Sequence, residues 1–230
     1  MSIFDPESKF MLYIRVLGDM ITLNVLFILC SIPVFTIGAA QAGLYTGLRE
    51  LFDRDSSNSP SRSFFKGFKN GFVKISAMWT SALVVIALLS YSVYFLYHAI
   101  EKHVINTNVP IIIALVGLVV FIAISAELTL FHSQFDCNPM LLFRNTMIMV
   151  VSHPLRNLII GISMWIPLIL ALFAPSYFFL LTPLWFGVYF SIVGYMNISL
   201  MKKPFEKIIY PNGKPEEKEE EEIEEPEDEY

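Results

Sequence analysis

From Val109 the chain reads VPIIIALVGLVVFIAI, sixteen residues without one charged side chain. A core strand would be shorter, and a barrel strand would alternate polar with apolar positions. This run does neither. Three further stretches, 75–98, 158–173 and 177–201, are similarly apolar. A bilayer core is crossed by about 20 helical residues. In lipid, an unclosed segment can satisfy its backbone polar groups only as a helix. The chain is therefore expected to be all-α: a polytopic transmembrane helix bundle.

Composition agrees. Of 230 residues, 55% are hydrophobic, 16% are charged and 20 are phenylalanine, more apolar surface than a soluble domain of this size hides. Charge is segregated. Residues 216–230 hold 11 of the 21 acidic side chains, and residues 1–210 carry 14 Lys and Arg against 10 Asp and Glu. Two units follow: a membrane domain over 1–210 and a solvated, disordered acidic tail over 211–230. Cys30 and Cys137 are too few for a disulfide framework and read as small buried hydrophobes. The N-terminus, MSIFDPESKF, has no basic signal region, so the first apolar run is expected to be retained.

Loop charge orients the helices. Arg49, Arg54, Arg62, Lys66, Lys69 and Lys74 precede the run at 75–98. Arg144 and Arg156 lie between 131 and 158, and Lys202, Lys203 and Lys207 follow the last run. The opposite connections, 101–108 and 174–176, hold one lysine, Lys102. The basic side is read as cytoplasmic.

The first apolar region, 19–48, is the ambiguous one. It contains NVLFILCSIPVFTIGAAQAGLY from Asn24 to Tyr45. Pro33 breaks a helix and disfavours helical backbone at Ile32. One helix of about 24 residues ending near Cys30 spans about 36 Å, and a second from 37 to 52 reaches about 24 Å. Ser31, Pro33 and Thr36 then form a hairpin tip, with Thr36 as the cap of the second helix. This predicts six membrane helices, the first two as a hairpin, and places both termini in the cytoplasm. Five spans is the alternative. Gly38, Gly43 and Gly47 provide a close-packing edge, and Asn24 provides an interhelical hydrogen bond. Cytoplasmic amphipathic segments complete the picture. SRSFFKGFKNGFVK suits a short interfacial helix, and Asn138-Pro139 starts another that bends at His153-Pro154.

Chemistry-bearing residues are sparse. Glu127, in AISAELTLF, is an ionisable group inside a span and a functional candidate by position. It is expected to take a cation or proton, or to pair with Arg144 or Arg156. The four histidines have no metal-ligand spacing, and no Walker, GxSxG or CxxC motif occurs. No metal, cofactor, nucleic-acid partner or enzymatic activity is expected. Phe65, Lys66, Phe68, Lys69 and Asn70, with Asn145, His153 and Arg156, form the candidate cytoplasmic contact surface for a partner.

These motifs resemble the YesL family of bacterial membrane proteins. The resemblance rests on F-x-P-x-S-K at residues 4–9, N…SIPVFTIGAAQAGLY from Asn24 to Tyr45, FFKGFKNGF before Trp79, and RN…HPLRN from Arg144 to Asn157. It implies a multi-pass protein of the bacterial plasma membrane with no established molecular activity, associated with carbohydrate uptake. The expected role is an accessory component of oligosaccharide import by an ABC transporter, with transporter subunits or a second copy of the chain as partner. A small autonomous transporter or channel, built on the break at Pro33 and on Glu127, is the alternative. The acidic tail lies outside the family pattern.

Overall fold

In the computed structural model, residues 9–52, 59–102, 109–134 and 138–209 are described. The 4–9 motif (Lys9 apart), Cys137 and the acidic tail lie outside them. Every regular element among the described residues is helical. The helices are α1 (Lys9–Cys30), α2 (Ile37–Phe52), α3 (Pro60–Lys69), α4 (Phe72–Glu101), α5 (Val109–Gln134), α6 (Pro139–Ser152), α7 (Pro154–Phe173), α8 (Pro175–Leu180), α9 (Thr182–Leu184) and α10 (Phe190–Ile209). A π-helical turn, Trp185–Tyr189, joins the last two.

Proline sets several of these boundaries. Helices α3, α6, α7 and α8 each open on one, at the position where a missing N–H costs nothing. Between α3 and α4 the stop comes instead from Gly71, whose φ of 63° is the left-handed conformation that only glycine adopts freely. The chain therefore breaks after Lys69, and α4 begins at Phe72 rather than near residue 75.

The break after α1 falls where the sequence places it. Residues 31–33 leave the helix, Val34–Thr36 form one 3-10 turn, and α2 follows. Thr36 does not cap α2 as expected. Its hydroxyl donates backwards, to the carbonyls of Cys30 and Pro33, each at 2.6 Å. Its backbone already belongs to the turn, so its side chain closes the hairpin tip.

Helix α2 is the centre of the bundle. It packs against α1, α3, α4, α5 and α10, and residues 38–45 are all buried. Small residues make this crowding possible, because helix backbones approach closely only where side chains are minimal. A Cβ on Gly43 would lie 2.8 Å from the Phe64 carbonyl oxygen, and one on Gly38 2.8 Å from Trp79 Cβ. A Cβ on Gly47 would meet Leu23 of α1 and the Pro60 carbonyl. The glycine edge is used within this chain, by α1, α3 and α4.

Four segments are long and apolar enough to cross a membrane: Phe10–Cys30, Phe72–Glu101, Val109–Ser133 and Thr182–Lys202. Their outer surfaces expose residues such as Leu88, Ile113 and Val116, as lipid-facing helices do. The chain is a helical membrane protein. Helix α2, with 16 residues, is not among the four. Helices α6 and α7 meet at 109° across His153 and count as a fifth span only if taken together. The apolar run 177–201 is likewise not one helix. It is broken at Leu181 and loosened to a π turn at Trp185–Tyr189.

Two buried asparagines sit at these breaks. Asn24 of α1 is fully buried. Its amide nitrogen donates to the carbonyls of Trp185 and Phe186, both at 2.9 Å, and its oxygen accepts from the N–H of Phe190 and Ser191. A π turn leaves backbone groups without their helical partners, and Asn24 supplies them. Asn157 bridges the other bend, donating across His153-Pro154 at 3.0 Å to the Met149 carbonyl, which also accepts the His153 N–H.

Candidate functional site

Glu127 lies on α5 with no exposed surface, and neither carboxyl oxygen has a hydrogen-bond partner. Arg144 is exposed on α6 and Arg156 is half-buried on α7. Neither satisfies the carboxyl, so the expected ion pair is absent. An ionised carboxylate without partners is strongly disfavoured in an apolar interior. The group must hold a proton or meet a ligand.

Its surroundings are more polar than the sequence suggests. The Tyr45 side chain of α2 is fully buried and lies within electrostatic reach of Glu127. Asn197 of α10 donates to the Tyr45 hydroxyl at 3.4 Å. Ser163 of α7 donates to the Asn197 side-chain oxygen, also at 3.4 Å. Thr129, two residues beyond Glu127, donates to the Gln41 side-chain oxygen at 2.8 Å. Helices α2, α5, α7 and α10 each contribute to this centre.

Gln41 has a second face. It lines a cavity of about 470 Å³ that extends to Ser31 and Ile32 at the hairpin tip. All three tryptophans of the chain, Trp79, Trp165 and Trp185, line the same cavity. The Trp79 and Trp165 rings are stacked 6.4 Å apart. The Trp185 indole N–H is held by the Phe178 carbonyl at 3.0 Å. Trp79 Nε1 and Ser31 Oγ are buried and unpartnered. The cavity is thus an aromatic, mostly apolar chamber with a few hydrogen-bonding groups, the usual make-up of a small-molecule site. Its neighbour Ala126 precedes Glu127.

The sequence-derived candidates divide into three groups. Asn24, Thr36, Gly38, Gly43 and Gly47 hold the bundle together, while Ser31 faces the cavity and Pro33 is exposed at the tip. Phe68 is half-buried and packs against both core clusters. Phe65, Lys66, Lys69 and Asn70 are exposed, and Asn145, His153 and Arg156 are half-buried around α6 and α7. Sequence reasoning missed Gln41, Tyr45, Thr129 and Asn197. Their helical registers place them inward, but four polar residues spread over three helices far apart in sequence give little pattern along the chain.

Among the described residues, no group of His, Cys, Asp and Glu could hold a metal ion. No curated protein and no solved structure matches the chain. The family model described as "Protein of unknown function, DUF624" matches residues 20–93, from Asn24 through the hairpin, Gln41 and Lys66 to Trp79, and stops short of Glu127.

Proposed function

We propose that the chain is a small, non-enzymatic integral membrane protein that passes an ion or small solute across the bilayer, with Glu127 as its proton- or cation-accepting group. The observation that carries this reading is the unpartnered carboxyl at a junction of four helices, joined through Gln41 to an aromatic cavity. Interrupted helices beside a buried ionisable group are a recurring construction in transporters, and both the hairpin tip and the π turn border this cavity. On this reading α1 and α2 form a membrane hairpin, giving six membrane helices. Both termini and the Arg49–Lys74 side are cytoplasmic, and the membrane is the bacterial plasma membrane.

The test is flux in proteoliposomes holding the purified full chain, with a pH-reporting dye inside and an imposed ion gradient. Wild-type protein gives a gradient-driven dye response, and Glu127→Gln abolishes it while leaving the folded protein intact. Folded wild-type protein that gives no response to proton or sodium gradients overturns the reading.

A second reading rests on the YesL resemblance, with which the family match at residues 20–93 is consistent. It makes the chain an accessory component of carbohydrate import, docking on subunits of an ABC transporter. The exposed Phe65, Lys66 and Lys69 of α3 and the adjoining Asn70 favour it, since an apolar ring among cations is a usable contact. Crosslinking in native membranes should then recover a transporter subunit. Recovery of none, with unchanged uptake of oligosaccharides on deletion, excludes it.

A further inference from the structure

A second cavity, of about 550 Å³, lies at the end of the bundle where α3 stops and α4 begins. It is lined by Thr46, Lys66, Lys69, Asn70, His132 and Ser133, with Ala42 and Gly67 completing the wall. Among the described residues, its lining contains no acidic side chain. Lys66 and Lys69 are both exposed. Arg49 stands behind the wall. It donates to the Ser133 carbonyl at 3.0 Å and the Ser133 hydroxyl at 3.3 Å, both neutral groups, and its Nε is buried without a partner.

The most buried side chain with hydrogen-bonding atoms in the lining is His132, 3% exposed. Its Nε2 faces the Asn70 carbonyl at 3.2 Å, so that nitrogen carries the proton. Its Nδ1 is buried and has no partner. Two lysines thus line a recess whose wall includes His132, with the Arg49 guanidinium behind it. The unpartnered imidazole nitrogen accepts a hydrogen bond from a hydroxyl. A phosphate ester of a polyol supplies anionic oxygens for the lysines, common phosphate ligands, and hydroxyls that can donate to the imidazole.

We infer that this cavity binds a phosphoryl group, held by Lys66 and Lys69, with His132 in its wall. The phosphoryl group has two sources, an anionic lipid headgroup or a soluble phosphate ester, and the site is independent of any flux through Glu127.

The test uses the full chain in a non-ionic detergent. In one arm, native mass spectrometry counts phosphatidylglycerol retained from mixed micelles, with phosphatidylcholine as the neutral-headgroup comparison. In the other, glycerol phosphate is titrated and its binding followed by phosphorus NMR. Either arm, or both, shows saturable binding to the wild type. The exposed double variant Lys66→Gln/Lys69→Gln weakens it by about tenfold or more, roughly 1.4 kcal/mol or more of binding free energy. Lys66→Arg/Lys69→Arg retains it, and Lys102→Gln, at the other end of α4, leaves it unchanged. Binding in the first arm alone assigns a lipid headgroup, and in the second alone a soluble ester. Absence of binding in both arms overturns the proposal. So does equal binding by the Lys66→Gln/Lys69→Gln and Lys102→Gln proteins.

Discussion

The Thr129 hydroxyl lies 2.8 Å from the Gln41 side-chain oxygen, and this hydrogen bond ties the wall of the tryptophan cavity to the helix that carries Glu127. Thr129→Val keeps the shape and removes the donor. Buried interhelical hydrogen bonds in membrane proteins average about 0.6 kcal/mol and reach about 1.7. Unfolding in mixed micelles should show a loss in that range for Thr129→Val, and a smaller one for Thr129→Ser. Equal stability of wild type and Thr129→Val would mean that Gln41 finds another donor.

Asn24 should matter more, because one side chain serves four backbone groups of the last span. Asn24→Ala removes all four bonds, and a buried polar group left with fewer partners costs about 1–3 kcal/mol at most. The melting temperature should fall clearly. Thr22→Ala, which removes only a bond to the Gly18 carbonyl on the exposed side of α1, should melt like the wild type.

Two glycines make a paired test of close packing. Gly43→Ala drives a methyl against the Phe64 carbonyl, and overpacking costs about 1–3 kcal/mol. Gly18→Ala has open space around its Cβ and replaces a poor helix former, so it should be neutral or stabilising by up to about 1 kcal/mol. Thermal melts of the two proteins should separate in opposite directions.

The tryptophans provide their own reporter. Trp79 and Trp185 are each only 4% exposed, so bromine atoms confined to the lipid-facing surface quench them weakly. A brominated alkyl chain that enters the cavity quenches both. Proteins retaining only Trp79 or only Trp185 should therefore lose fluorescence in parallel as a brominated detergent is titrated. Quenching of one without the other would show that the cavity admits no chain.

Orientation is open to cysteine labelling, with Cys30 and Cys137 replaced by alanine. Ile32→Cys, exposed at the hairpin tip, should react in intact cells with an impermeant thiol reagent. Lys69→Cys should react only after permeabilisation. A reversed pattern would invert the bundle.

Part of this structure could be read along the chain and part could not. The limits of α2 were legible because Pro33 and the small residues after it act locally. Gly71 was less so, since a glycine inside FKNGFVK looks no different from one that continues the helix. The misreading of 177–201 has a physical cause. Hydropathy sums side chains and is blind to the backbone, while the π turn exists because Asn24, some 160 residues earlier, satisfies it. Glu127 stood out as a charge among apolar neighbours. Gln41 and Asn197 did not, since a single amide in a helix gains meaning only from what faces it.

The position of α2 bears on how the chain is assembled. Its 16 residues include only a few large apolar side chains, and its first eleven are almost wholly enclosed by other helices. Alone in lipid it would gain little from insertion, because it offers the bilayer mostly glycine, alanine and polar atoms. Its partners α4, α5 and α10 are all made later by the ribosome. The segment at the heart of the molecule must therefore wait, tethered to α1 through the Thr36 turn, until helices synthesised after it close around it. Truncated nascent chains ending before α5 should leave α2 open to protease, and only the completed chain should protect it.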